Sequence, residues 1–336
     1  MTEPTIIRTS DRMYFKRCRE LWNFTSKIRE NWEPVQRYPA FDFGTAIHAG
    51  LQAYYEPSTW GQKALMRTNA MDAFYASLST LHQLVKMGDL EFEVRFDDEY
   101  EMGHRMLDYY FLWAPKVDNF VPLYVEIEFE VPIPGLEGLA VYQGRIDLIV
   151  EVFDEEGQSL GYWLIDHKTA SQFGDTQWLW LDDQCSSYAW AIREQLGLEV
   201  RGVIYNQLRK KPPHPPNMLR SGSFSVNKQQ DTTFEVYLRA IRQAGQNPSW
   251  YRDFLLYLKK NPKEFCRRTK VKYNERQLQI VGERIRREAI EMINDPVIYP
   301  SPSPMNCNGC RFFSPCLQVQ EGSEPYMEEN YERRNS

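Results

Sequence analysis

Eight residues, Tyr124-Val125-Glu126-Ile127-Glu128-Phe129-Glu130-Val131, alternate in polarity with a period of two. Only an extended chain puts every second side chain on one face, so this run predicts a half-buried β-strand with three glutamates on its solvated side. Strand signals recur at about 139–153 and 161–168, joined by Asp154-Glu155-Glu156-Gly157, a tetrapeptide suited to a hairpin turn. A helical pattern follows at about 176–196, with Trp178, Leu181, Cys185, Tyr188, Ile192 and Leu196 in its stripe, and stops at Gly197. Another strand comes at 202–208. The order strand, helix, strand implies a right-handed crossover and a mixed sheet.

Helical spacing dominates on both sides of this core. From Ser10, Tyr14, Cys18, Leu21 and Trp22 recur at steps of three and four, which places Cys18 on a buried helix face. A second helix starts near Phe43-Gly44, with Ile47, Leu51 and Tyr54 as its stripe and His48 beside it, and residues 60–115 continue in helical style. Consecutive prolines make 209–217 a loop. Helices are expected over 229–260 and 275–293, the latter capped by Asn274 and striped by Leu278, Val281, Ile285 and Ala289. These patterns divide the chain into a helical region (1–120), a core (121–208), a basic loop and helical region (209–295), a cysteine motif (296–320) that opens with a Pro-rich linker, and a polar, frayed tail (321–336).

The net charge of −6 argues against a polyanion-binding protein, but the charge is unevenly distributed. Residues 201–290 carry 20 Lys+Arg against 7 Asp+Glu, leaving 20 against 39 for the rest. Clusters such as Arg267-Arg268-Thr269-Lys270 could neutralise phosphates or form solvated helix faces, and the regional asymmetry favours nucleic acid. A count of 9 Trp, 20 Tyr and 18 Phe excludes a disordered chain. No window approaches the ~18 uninterrupted apolar residues of a membrane helix, so a soluble cytoplasmic protein is expected.

Two strands concentrate the chemistry. Gly144-Arg145-Ile146-Asp147 sets one acid in an apolar strand, and Ile165-Asp166-His167-Lys168 sets an acid and a lysine two residues apart, hence on one side of the next. If the strands pair, Asp147 approaches Asp166, and the two carboxylates repel unless a hard divalent cation lies between them. These motifs resemble the core of the PD-(D/E)xK nuclease superfamily, specifically its RecB-like branch. That branch also carries a Gly-x-x-x-His helix upstream, matched by Gly44 to His48, and a Gln-x-x-x-Tyr helix downstream, matched by Gln184 to Tyr188. The resemblance implies a restriction-endonuclease-like α/β fold. It implies Mn2+ or Mg2+ held by His48, Asp147, Asp166 and the main-chain carbonyl of His167, with Lys168 positioning the attacking water. Gln184 and Tyr188 are expected to meet DNA or the site, as are Arg267, Arg268 and Lys270. Glu126, Glu128 and Glu130 read as a solvated strand face.

Cys307-x2-Cys310-x5-Cys316 gives three thiols in ten residues, a density that suggests a metal or cluster. By composition the fourth ligand could be Cys18, Cys185, Cys266 or a histidine, and zinc satisfies the spacing as well as iron-sulfur. Similarity to the CRISPR-associated and AddB-type iron-sulfur exonucleases implies that Cys18 joins Cys307, Cys310 and Cys316 around a [4Fe-4S] cluster tying the two ends of the chain. Cys266 is the reserve ligand. The resemblance as a whole implies a metal-dependent DNA exonuclease, possible in a phage setting, acting in recombination or repair beside a recombinase or helicase partner. A non-catalytic DNA-binding scaffold with the same fold, an endonuclease of the same family and a zinc-stabilised interaction module are the alternatives.

Overall fold

The computed structural model describes residues 3–35, 39–83, 90–294, 296–327 and 330–334. In chain order the elements are β1 (Thr5–Arg8), α1 (Thr9–Arg17), α2 (Arg19–Thr25), β2 (Trp32–Pro34), α3 (Pro39–Tyr54), α4 (Lys63–Gln83) and α5 (Leu90–Trp113). Then come β3 (Phe120–Pro132), β4 (Ala140–Phe153), β5 (Ser159–Ala170), α6 (Asp183–Leu196), β6 (Val200–Arg209), α7 (Phe234–Gln243) and α8 (Arg252–Lys260). The chain ends with β7 (Cys266–Lys272), α9 (Glu275–Ile293), α10 (Pro304–Cys307), α11 (Phe313–Gln320) and β8 (Tyr331–Arg333).

Six strands form one mixed sheet in the order β1-β4-β5-β6-β7, with β3 on the other side of β4. The expected crossover is present, since β5 and β6 are parallel and α6 connects them. β4 changes partner along one edge: residues 140–143 pair in parallel with β1, whereas 148–153 pair antiparallel with β5. Between those segments the edge is open, and Asp147 lies in the opening.

Successive residues of the central strands face opposite layers. Ile149, Leu164 and Val203 pack with α6, α9 and Phe15 on one side, while Leu148, Ile165 and Ile204 pack with α3, α4 and α5 on the other. The expected stripe of α9 is fully used, with Leu278, Val281, Ile285 and Ala289 all buried. Asn274 caps that helix in a reciprocal pair with Gln277, each side chain accepting the other's backbone N–H at 2.9 Å. Gly197 ends α6 at φ +65°, a conformation that glycine adopts without a Cβ penalty.

Several expectations are corrected. The first helix is two, broken at Cys18, whose extended backbone ends α1 and starts α2, so Cys18 is half-buried at a junction instead of sitting on a helix face. The pattern at 176–196 resolves into a short 3-10 turn, Gln177–Leu181, and a helix capped by Asp182. That turn exposes Trp178 and Leu181, which the helical reading placed in a buried stripe. The span 229–260 is likewise broken into α7, a 3-10 turn and α8. Residues 266–272, read as possible solvated helix, are the edge strand β7. The tail, expected to fray, returns to the body: β8 pairs antiparallel with β2, and Tyr331 stacks on Phe312 with ring centroids 4.9 Å apart.

Candidate metal centre

Neighbouring strands bring three carboxylates together. The register Val125↔Leu148 and Ile127↔Ile146 sets Glu126 opposite Asp147, and Leu148↔Ile165 carried one step further sets Asp147 opposite Asp166. Glu126 has φ +48°, a left-handed conformation unusual for a side chain of its size. From this kinked position it joins His48 and Asp147, with one ligand atom from each lying within 4.8 Å of the others. Helix α3 supplies His48, whose Nδ1 is 3.6 Å from Asp147 Oδ2. Gly144 is required where β4 enters the centre, because a Cβ there would lie 2.5 Å from the ring of Phe129.

Asp166 is 7% exposed. Its Oδ1 accepts a 2.8 Å hydrogen bond from Lys168 Nζ, and its buried Oδ2 has no hydrogen-bond partner. Asp166 is not one of the three residues whose ligand atoms lie within 4.8 Å of one another, but its unpartnered oxygen belongs to the residue opposite Asp147 in the strand register, and an oxygen-rich set with one imidazole suits Mg2+ or Mn2+. The electrostatics agree with this crowding. Burial raises the Asp166 carboxyl to about 6, with Asp147 adding to the effect and Lys168 opposing it. Burial also acts to raise Asp147, but hydrogen bonding and charge from His48, with His167 and Lys168, hold it well below the usual carboxylate range. Burial alone would lower His48 and Lys168; the facing carboxylates outweigh it and raise both.

His167 plays two separable parts. Its backbone N–H donates to Asp147 Oδ2 at 2.7 Å, fixing that carboxylate from the next strand. Its ring points to the other face, stacks on Tyr55 at 5.9 Å, meets His48 edge-on at 6.0 Å, and is pushed by burial down to about 3. The Asn206 amide donates to His167 Nδ1 at 2.8 Å, and Arg268 Nε donates to Asn206 Oδ1 at 3.0 Å. Arg268 also binds Tyr55 Oη at 2.9 Å and Tyr110 Oη at 3.0 Å, and is ion-paired with Asp118.

This corrects the expectation that Arg268 meets DNA. Its side chain is 9% exposed, and Asp118 and the surrounding hydroxyls satisfy its guanidinium inside the protein. Arg267, on the opposite face of the strand, and Lys270, further along the same face, stay at the surface. Arg267 is paired with Glu264, and Lys270 Nζ lies 5.7 Å over the Trp163 ring. Gln184 and Tyr188 sit one turn apart on α6, joined at 3.3 Å, and line a shallow pocket with Arg8, Thr9, Gln143 and Gly144. The cleft at the metal centre is lined instead by His48, Glu126, Arg145, Asp147, Lys168 and Lys210, among others.

Of the residues expected from the sequence, His48 and Asp147 lie together with Glu126, which was read as part of a solvated strand face, while Asp166 and Lys168 are hydrogen-bonded to each other on the next strand. The missed signal was positional: Glu126 is the residue of the glutamate run that stands opposite Asp147 once β3 and β4 are paired.

A second constellation lies where the two ends of the chain meet. Cys18, Cys307, Cys310 and Cys316 line one pocket together with Leu21, Phe24 and Phe312. The Ser301 backbone N–H points at Cys18 Sγ at 3.4 Å. Burial pushes the Cys316 thiol up to about 11, with Glu20 and the other three thiols contributing. Cys185 and Cys266 are excluded from this pocket, being buried in the cores on opposite faces of the sheet.

A family model for the PD-(D/E)XK nuclease superfamily matches residues 13–316. No curated protein matches the chain. Among solved structures, the crystal structure of a candidate exonuclease from Eubacterium rectale is 11% identical; the alignment covers 90% of this chain and 92% of that one at a TM-score of 0.37.

Proposed function

The chain belongs to the PD-(D/E)XK nuclease superfamily, its family match running over residues 13–316, and on that premise we propose that it is a divalent-metal-dependent DNA exonuclease. The observation that carries the reading is the approach of His48, Glu126 and Asp147 to within 4.8 Å of one another, with Asp166 and its unpartnered Oδ2 opposite Asp147 on the next strand. When bound there, Mg2+ or Mn2+ supplies Lewis-acid activation of water and neutralises charge on the phosphoryl group. Asp147, Asp166, Glu126 and His48 would hold it, and the main-chain carbonyl of His167 is a further donor by family resemblance.

The chain's own residues have distinct parts to play. Lys168 is kept protonated by Asp166, so it works as a hydrogen-bond donor and positive charge that orients water and stabilises the phosphorane oxygens; it is not a proton acceptor. The His167 N–H holds Asp147 at fixed orientation, which matters because misplacement of a ligand by an ångström costs orders of magnitude in rate. Gln184 and Tyr188, on the helix that follows the catalytic strand, would meet the DNA or the site, as the family resemblance implies. Action at ends, and a role in resection during recombination or repair, follow from the resemblance to iron-sulfur exonucleases.

That resemblance also supports a [4Fe-4S] cluster on Cys18, Cys307, Cys310 and Cys316. Such a cluster would clamp α1 and α2 to the C-terminal segment.

The test is digestion of end-labelled linear and closed-circular DNA by anaerobically purified protein with Mn2+, Mg2+ or EDTA. Metal-dependent loss of linear DNA with circles spared is expected. Cutting of circles would replace the exonuclease reading with an endonuclease one, and DNA binding without cleavage of any substrate would favour a scaffold.

A further inference from the structure

The segment between the catalytic strand and α6 carries an exposed aromatic turn that the metal chemistry does not use. In Gln177–Leu181 only Leu179 is buried; Trp178 and Trp180 are 53% and 49% exposed and Leu181 is 85% exposed. Leaving three large apolar side chains in water on five residues is unfavourable unless a partner covers them. The turn is nonetheless firmly built. Leu179 anchors it in the core, Trp178 Nε1 donates to Asp175 O at 2.8 Å, and Asp182 caps the following helix at 2.7 Å. On the other side Arg267 lies 4.7 Å over the Phe173 ring and donates to Gly174 O at 3.2 Å.

Its position identifies the partner. Trp178 packs edge-on against Tyr205, with ring centroids 6.2 Å apart, and Tyr205 is the strand neighbour of Asp166. Trp178 and Tyr205 therefore adjoin the strand that carries Asp166 and Lys168, and Trp180 is exposed on the same short turn. Surface cations flank the turn: Arg267 before it, and Lys16 and Arg284 after it, both on Asp183. Flat apolar faces between cations match a polynucleotide strand, which presents flat bases alternating with phosphates.

We propose that the 177–181 turn is a stacking platform for nucleobases of the single strand whose phosphodiester reaches Asp166 and Lys168. The proposal rests on the nuclease reading and adds to it a preference for an unpaired end, since bases can stack on Trp178 and Trp180 only when they are free of a complementary strand. A duplex would have to be opened at its terminus to be engaged.

The experiment measures binding of an oligothymidine, and of the same oligomer with abasic sites, to the full-length protein in Ca2+. Wild type, Trp180→Ala, Trp180→Phe and Trp178→Ala/Trp180→Ala are compared. Stacking predicts about tenfold weaker binding per ring removed, partial rescue by Phe, and an abasic penalty present in wild type and absent from the double variant. Equal affinity of all four proteins, or equal binding of normal and abasic oligomers by wild type, would overturn the proposal. Sedimentation velocity supplies a second check: a wild-type dimer that the Trp180→Ala change dissociates would assign the turn to a second copy of the chain and overturn base stacking. Cleavage by wild type separates this idea from its premise. An active enzyme with indifferent tryptophans sinks the platform alone, whereas base-dependent binding without cleavage retains the platform and sinks the exonuclease.

Discussion

Candidate ligand side chains gather at two places in this molecule, by opposite routes. At the metal centre three of them, Glu126, Asp147 and Asp166, come from neighbouring strands and are aligned by register, so that 41 positions of chain suffice (126 to 166 inclusive). In the cysteine pocket, Cys18 meets Cys307, Cys310 and Cys316 from the opposite end of the chain. The first set is held by a sheet that exists without it and is electrostatically strained, as the elevated Asp166 shows. The second set lies against a small satellite core of Phe24, Phe312 and Met327, apart from the two large cores that hold the sheet. Ligands in the sheet should govern rate, whereas ligands in the pocket should govern stability.

The sharpest way to break that comparison is Lys168→Ala. Cleavage should fall by about 10³-fold with DNA binding retained and the protein still folded, because the sheet and the cation ligands remain, while Tm falls only modestly since Asp166 loses its Lys168 partner but can take up a proton. Near-normal turnover would remove Lys168 from the chemistry, and a collapse in Tm would show that the centre is structural after all.

Next in size is Arg268→Ala, which strips the partner from a buried Asp118 and from Asn206 behind His167. A loss of about 3–5 kcal/mol in unfolding free energy is expected, measured by denaturant titration, with little change in the salt dependence of DNA binding. A substantially shallower salt slope at unchanged stability would mean that Arg268 meets phosphate.

Cys316→Ala probes the pocket. Iron content and visible absorbance should drop and Tm should fall by on the order of 5–10 °C, while residual soluble protein keeps metal-dependent cleavage. An unchanged spectrum would exclude Cys316 as a ligand.

The smallest effect is a pH dependence confined to the metal centre. Asp166 titrates at about 6 in the cation-free fold, above its unfolded value, so its contribution to stability is present at low pH and is lost as pH rises through about 6. A divalent cation binds the ionised form and needs His48 neutral, and His48 is also raised. The Mn2+-induced increase in Tm, read against EDTA, should therefore be larger at pH 8 than at pH 5 by a few degrees; an equal increase would detach the cation from these groups.

Legibility in the sequence followed the range of the physics. That Asp166 and Lys168 lie side by side was legible because a two-residue spacing on a strand fixes a common side whatever else folds around it. The α9 stripe and the Asn274 cap were readable for the same reason, being decided within a turn or two of helix. Trp178 and Leu181 misled because helical spacing continued smoothly across Asp182, where the capping bond to Cys185 N starts the helix anew.

By itself, the sequence determined the mixed sheet with its crossover, the order of the acid and lysine motifs, and the grouping of Cys307, Cys310 and Cys316. Tertiary structure decided that Glu126 turns to Asp147, that Arg268 goes inward while Arg267 stays out, that Cys18 joins the C-terminal thiols in one pocket, and that the tail returns as β8. The physical reason is that periodicity is a local property of backbone geometry. Whether a charge is buried or a thiol has neighbours depends on what arrives from elsewhere, and for Arg268 the deciding partners are Asp118, 150 positions away, and Tyr55, 213 positions away.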